Sequence, residues 1–165
     1  MAEAFSPYAL PSTKAERYDA LRLEIRSVLE GEANRVARMA TVASMLAAAF
    51  DTYLWTGFYV VDPERPRELV VGPYQGTLGC LRIRFGQGVC GTAAADSRTV
   101  VVADVDAFPG HIACDSRSRS EIVVPVLDAR GELIAVLDVD SAESSAFDAV
   151  DQEGLEAIVR QVFAS

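Results

Sequence analysis

Positive charge is scarce in this chain. It has a single lysine, Lys14, and its arginines stand alone or in short alternations such as Arg82/Arg84 and Arg117/Arg119, within a formal net charge of −9. A phosphate backbone is held by clustered cations, so nucleic acid is excluded as an expected partner. An anionic membrane surface is excluded for the same reason. Long apolar runs are missing too. The most apolar helical stretch, 39–50, falls well short of the roughly 20 residues that span a bilayer. The opening residues MAEAFSPYALPSTKAER lack the basic start and apolar stretch of a secretory leader. The expected compartment is therefore cytoplasmic, where thiols stay reduced. Cysteine is sparse: Cys80, Cys90 and Cys114 are the only three. An odd count argues against a static disulfide framework, and without a CxxC there is neither a thioredoxin-like motif nor a zinc knuckle.

Apolar residues are plentiful. Half of the 165 residues are hydrophobic, enough for one core and one domain over 1–165. An irregular arm should occupy 1–11, and the arm with its following helix fills about 1–31. Thr13-Lys14-Ala15-Glu16 has the form of a capping box, predicting a helix over 14–30 that ends at Gly31. A second helix is expected over 34–50, its alanines suited to close packing. The period then changes to that of strands over 52–61, 68–72 and 81–85. A short helix over 88–96 and a valine-rich strand over 99–105 follow. A polar loop with a Pro109-Gly110 turn should cover 106–119. Strands over 121–127 and 132–139 flank the tight turn Asp128-Ala129-Arg130-Gly131, and a helix from 147 or 148 to 162 closes the chain. Helices at both ends around consecutive strands imply an α+β fold with an antiparallel sheet and helices mainly on one face. The gaps between strands are too short for the crossover helices of a parallel sheet.

Four groups of residues could carry chemistry. Gly86-Gln87-Gly88-Val89-Cys90-Gly91 matches GxGxxG, but only seven residues separate Gly91 from Thr99, too few for a dinucleotide-binding crossover. A tight strand-to-helix turn with glycines at positive φ is the simpler reading. His111 and Cys114 are spaced as two metal ligands could be, but the other cysteines fit no zinc pattern, so no metal is expected. His111 is better read as a turn residue bonded to backbone, with assistance to Cys114 as its functional alternative. Cys114 lies in the loop FPGHIACDSRSRSE, and Arg117 and Arg119 are near enough in sequence to lower its pKa. A small buried apolar residue is the bland alternative. Asp138 and Asp140 interrupt the apolar strand LIAVLDVD and face the same side. If Asp128 and Gly131 flank a two-residue connection, Glu121 lies opposite Asp138, and a bulge at Gly131 would alter that alignment. Three acids on one face repel, leave at least one as a proton donor, and suit an ammonium group. A solvated strand end remains the alternative.

The stretches WTGFY (55–59), GPYQG (72–76), GCLRIRFGQGVCGTAA (79–94), VADVDAFPGHIACDSRSRSEIVVPV (102–126) and GELIAVLDVDSAESSAFDAVDQEGLE (131–156) together resemble the free methionine-(R)-sulfoxide reductases, a GAF-domain family. The resemblance covers about residues 50 to 160. FPGHIACD and SEIVVPV, with all three cysteines in place, set this family apart from ordinary GAF sensors; Gly79 stands where the family usually has alanine. The resemblance implies a six-stranded antiparallel GAF sheet with flanking helices, and a homodimer. It also implies Cys114 as catalytic cysteine, Cys80 as main resolving thiol and Cys90 as a third thiol in the relay. Trp55 and Tyr59 would surround the substrate methyl, and Glu121, Asp138 and Asp140 would be the pocket acids.

A sulfoxide sulfur is a poor electrophile until its oxygen is protonated, so a thiolate and an acid must act together. On this reading Cys114 attacks while Glu121, or an Asp beside it, donates the proton. Cys80 then resolves the sulfenic acid, and thioredoxin restores both thiols. No cofactor is needed. A GAF sensor with redox-switch cysteines is the rival from another class; it would normally accompany an output domain, for which 165 residues leave no room. A thiol peroxidase-like reductant without an amino-acid pocket is the third reading.

Overall fold

The computed structural model describes residues 10–165, so most of the expected arm lies outside the described residues. Two helices open the chain, α1 (Lys14–Val28) and α2 (Arg35–Ala49). Strands β1 (Tyr53–Asp62), β2 (Arg65–Gln75) and β3 (Arg82–Arg84) follow, then α3 (Gly88–Asp96) and β4 (Val100–Val102). Strands β5 (Ser120–Leu127) and β6 (Leu133–Ser141) and helix α4 (Ala149–Phe163) complete it. The six strands form one antiparallel sheet in the order β3-β2-β1-β6-β5-β4. This is the expected α+β GAF sheet with helices at both ends.

Several boundaries differ from expectation for identifiable reasons. Strand β2 is longer than 68–72 because Pro66 and Pro73 lie in skips of the register with β1, where a missing N–H breaks no ladder bond. The strand expected over 99–105 stops at Val102. A single 3₁₀ turn (Val105–Ala107) follows, anchored by the Asp104 side chain accepting from the Asp106 N–H. The capping box expected at Thr13 is not made: the Thr13 hydroxyl donates to the Glu16 carboxylate instead of the backbone being capped. A reciprocal box opens α4, where Asp148 accepts from the backbone of Asp151 and Asp151 from that of Asp148. Gly86 and Gly88 hold the positive φ expected of the strand-to-helix turn.

Alternation along the central strands sorts side chains into two cores. One face carries Phe58, Ile122, Val124, Leu137 and Val139 against α1, α2 and α4, including Leu21, Leu46 and Leu155. Each such fully buried side chain contributes about 1.5–3 kcal/mol. The other face carries Trp55, Tyr59, Val123 and Val136 under α3 and the loops around it. Helix α1 is fastened to α4 by a buried polar knot. The Tyr18 hydroxyl donates to Asp151 at 2.8 Å and meets the Tyr53 hydroxyl, and Lys14 Nζ reaches Asp151 at 2.6 Å.

Gly154 allows this close approach. A Cβ there would lie 2.6 Å from Tyr18 Cδ2, and the knot prevents the ring from yielding. Gly154→Ala gains about 1 kcal/mol of helix propensity, but overpacking costs about 1–3 kcal/mol. A lower urea midpoint is the expected result; an unchanged or raised midpoint would show that Tyr18 is free to swing.

Candidate active site

The second face of the sheet contains the unusual chemistry. Glu121 on β5 and Asp138 and Asp140 on β6 point into it, and Glu121 and Asp138 are about 5% exposed. Their register corrects the expected one: Glu121 lies opposite Asp140, and Asp138 lies opposite Val123. Two one-residue irregularities account for the difference. The turn closes with the Asp128 N–H donating to the Glu132 carbonyl at 2.9 Å and Gly131 in the left-handed region, a three-residue connection with a glycine bulge. A second shift falls between Val126 and Leu127. Together they move the pairing by two residues, which preserves parity, so the acids still share a face.

Burial dominates the electrostatics here. It pushes Glu121 up from 4.5 to about 8, with the Asp140 charge adding to the rise. Burial and Glu121 raise Asp138 well above the usual carboxylate range, and burial and Asp138 do the same for Asp140. Ser118 donates to Asp140 Oδ1 at 2.8 Å. Asp138 Oδ1 is buried with no partner among the described residues. An unpaired buried acceptor costs about 1–3 kcal/mol, so this oxygen favours a further donor. Ligand atoms of Cys90, Glu121 and Asp138 lie within 4.8 Å of one another, close enough to surround one cation.

The thiols divide into two environments. Cys80, just before β3, and Cys114, in the loop before β5, are bonded to one another with Cα atoms 5.7 Å apart. Cys114 is exposed and Cys80 half-buried. Cys90, on α3, is buried and free; its Sγ donates to Glu121 Oε1 at 3.9 Å, and burial beside Asp138 and Glu121 raises its pKa well above 9.0. The arginines expected to activate Cys114 are engaged elsewhere. Arg117 pairs with Asp115 at 2.7 Å, and Arg119 donates to the carbonyls of Ser116 and Ser118. His111 does sit in a turn, its N–H donating to the Phe108 carbonyl, but its ring lies against Glu121 at 3.3 Å rather than against Cys114. Burial lowers the His111 pKa while it raises that of Glu121, so at neutral pH the contact joins two uncharged groups and is not an ion pair.

Trp55 and Tyr59 stand on β1 beside the acids, with ring centroids 5.5 Å apart. Tyr74, which the sequence reading assigned no role, also stacks on Trp55, at 5.0 Å. Gly57 makes this aromatic wall possible, since a Cβ there would overlap Tyr74 and approach Trp55 Cη2 to 2.9 Å. Gly79 packs on the same wall, where a Cβ would meet Trp55 at 3.0 Å and the Tyr59 hydroxyl at 3.1 Å. Thr77 and Ser118 also escaped notice. Thr77 accepts from the Trp55 indole at 3.0 Å through its carbonyl and donates from its hydroxyl to Asp115 at 2.7 Å. The cavity bounded by wall, acids and cysteines measures about 40 Å³ with the disulfide closed, room for a water but not for an amino acid.

The raised Glu121 pKa has a sign that can be tested. Between 4.5 and about 8 the folded chain holds a proton that the unfolded chain releases, so this group's contribution to stability falls as pH rises through that window. Glu121→Gln removes the slope. Its Tm should rise relative to the parent from about pH 5 to about pH 9; a constant Tm difference across that range would show that Glu121 is not titrating there.

A GAF domain model matches residues 24–164. The chain is 47% identical over 148 residues to GAF domain-containing protein A of Dictyostelium discoideum, covering 90% of this chain and 91% of that one. It is 37% identical over 159 residues to the free methionine-R-sulfoxide reductase of Saccharomyces cerevisiae, covering 94% and 88%. Among solved structures, the free methionine-R-sulfoxide reductase of Neisseria meningitidis in complex with its substrate superposes with a TM-score of 0.89 at 46% identity, over 98% of this chain and 92% of that one. The chain therefore belongs to the GAF-domain family of free methionine-R-sulfoxide reductases, and with it to the oxidoreductases.

Proposed function

We propose that this chain reduces free L-methionine-(R)-sulfoxide to L-methionine through a cysteine relay, as a cytoplasmic homodimer with residues 1–165 forming one GAF unit. The observation that carries the reading is the buried acid face below Cys114, with Asp138 Oδ1 unpaired. A free amino acid brings the one group that such a face lacks, an ammonium with three N–H donors. The family relationship supports the same substrate.

The substrate meets the dithiol form, in which no bond ties Cys114 to Cys80. Glu121 is the proton donor, because a pKa of about 8 leaves it mostly protonated at neutral pH. The donated proton turns the sulfoxide oxygen into a hydroxyl, and the Cys114 thiolate attacks sulfur. The oxygen passes to Cys114 as a sulfenic acid and methionine leaves. The Cys80 thiol attacks that sulfur, water departs, and the disulfide forms. Thioredoxin, a dithiol, then returns two electrons and two protons. Cys90 is the reserve thiol, buried with a high pKa and so slow to act. Asp138 and Asp140 hold the ammonium, and Trp55 and Tyr59 line the methyl. No metal or organic cofactor takes part.

The experiment that tests this is exhaustive reduction of a mixed sulfoxide pool with dithiothreitol, followed by chiral separation. Only the R epimer of the free amino acid should disappear, and N-acetyl methionine sulfoxide should survive. Acetylation removes the ammonium and leaves buried acids facing an amide, a mismatch that costs about 10⁴–10⁵-fold in a site built on hydrogen bonds. Consumption of both epimers, or ready turnover of the acetyl compound, would remove the acid-gripped pocket.

Substitutions separate the roles of the groups. Cys114→Ser should eliminate turnover in a folded protein. Glu121→Gln should slow sulfoxide chemistry by about 10²–10⁴-fold while leaving the rate of thiol alkylation nearly unchanged. Cys80→Ser should give one equivalent of methionine in a rapid-quench burst but little steady turnover with thioredoxin. Loss of the burst as well would show that Cys80 acts before methionine leaves.

A further inference from the structure

Two leucines flank Cys80 with almost nothing covering them. Leu78 is 76% exposed and Leu81 is 71% exposed, the two most exposed large apolar side chains among the described residues. Ile112, 39% exposed, stands two residues before Cys114. Three of the eight exposed large apolar side chains therefore lie within two residues of the bonded cysteines. Scattered single leucines on a surface need no explanation, but a cluster around one reactive bond does.

We propose that Leu78, Leu81 and Ile112 form the docking surface for a protein dithiol whose own cysteines are rimmed by apolar side chains. The proposal rests on the relay described above, which requires reduction of the Cys80–Cys114 bond. The occupant follows from the patch's position: each of the three side chains stands within two residues of a bonded cysteine, so a partner that grips them is brought to the disulfide. A second copy of this chain seated there would cover the bond that the relay needs a reductant to reach. A small thiol needs no docking surface.

Cys114, the more exposed of the two cysteines, receives the attack. The partner's thiolate forms a bond to Cys114 Sγ as the Cys80–Cys114 bond breaks, and Cys80 leaves as a thiolate and takes a proton. The partner's second thiol loses its proton and attacks the partner sulfur of the mixed disulfide, releasing Cys114. The partner ends as a disulfide, oxidised by two electrons, and this chain ends with two thiols.

The test measures reduction of the disulfide itself, by counting thiols after mixing oxidised full-length protein with reduced thioredoxin or with dithiothreitol. No sulfoxide is present. Leu81→Glu should lower the second-order rate constant with thioredoxin by about tenfold, as expected for loss of one apolar anchor, and leave the dithiothreitol rate within about twofold. Leu78→Ser should show the same split in this assay. Equal losses with both reductants would show that the leucines support the disulfide loop, and no loss with either would show that nothing docks there. Either result overturns the proposal. So would a parent dimer that Leu81→Glu dissociates in sedimentation, since the second copy would then be the occupant. The reductase reading fails separately, if the parent does not reduce free sulfoxide with dithiothreitol.

Discussion

Burying three carboxylates together is the constraint on which the rest of this site depends. Placed in water, Glu121, Asp138 and Asp140 would each ionise; on one face of a sheet, under α3, they cannot all do so. The sheet enforces the crowding. Glu121 and Asp140 are direct cross-strand partners, and Asp138 is held between Gly57 of β1 and Val123 of β5. The opposite face, packed by Phe58, Ile122, Leu137 and Val139 on three helices, keeps the strands from parting to relieve the repulsion. The apolar core thus stabilises the frame that keeps the acids close together and at least partly protonated.

Acids and thiols are mounted differently. The acids stand on two adjacent interior strands, β5 and β6, each hydrogen-bonded to a neighbour on both sides. Cys80 and Cys114 stand on segments outside the ladder, the approach to β3 and the loop before β5. Proton transfer and ammonium recognition need fixed geometry. In the proposed relay a thiol meets first a substrate, then another cysteine and then a reductant, and it needs a segment that can move. Cys90, on the helix that covers the acids, is bound into the rigid part and is correspondingly hard to ionise.

Much of this was legible in the sequence, because the relevant signals are local. Alternation in LIAVLDVD placed Asp138 and Asp140 on one side, and parity carried Glu121 to the same side even though the register was off by two. The order of helices and strands followed from a change of period. What failed depended on contacts made across the chain. The second strand was expected only over 68–72, but Pro66 and Pro73 lie in skips of the register opposite β1, and β2 runs from Arg65 to Gln75. Arg117 and Arg119 are close to Cys114 in number, but their guanidinium groups turn onto Asp115 and onto loop carbonyls. The side chain of His111 reaches a residue ten positions away on β5. Tyr74 and Ser118 join the site only through folding, and no spacing rule would have singled them out.

In the proposed reaction, substrate recognition and proton supply are linked. An ammonium seated on Asp138 and Asp140 is a positive charge within a few ångströms of the buried acids, and it favours their ionised forms. Binding therefore lowers the pKa of the same acids whose elevation keeps a proton at Glu121. In the empty site the proton is held firmly by burial. In the loaded site it is held less firmly, at the moment when a sulfoxide oxygen is in place to accept it. An analogue without the ammonium fails twice on this account: it leaves the carboxylates unpaired, and it leaves the donor acid too weak. Free amino-acid selectivity and acid catalysis are then two effects of one electrostatic arrangement, built from three side chains on adjacent strands.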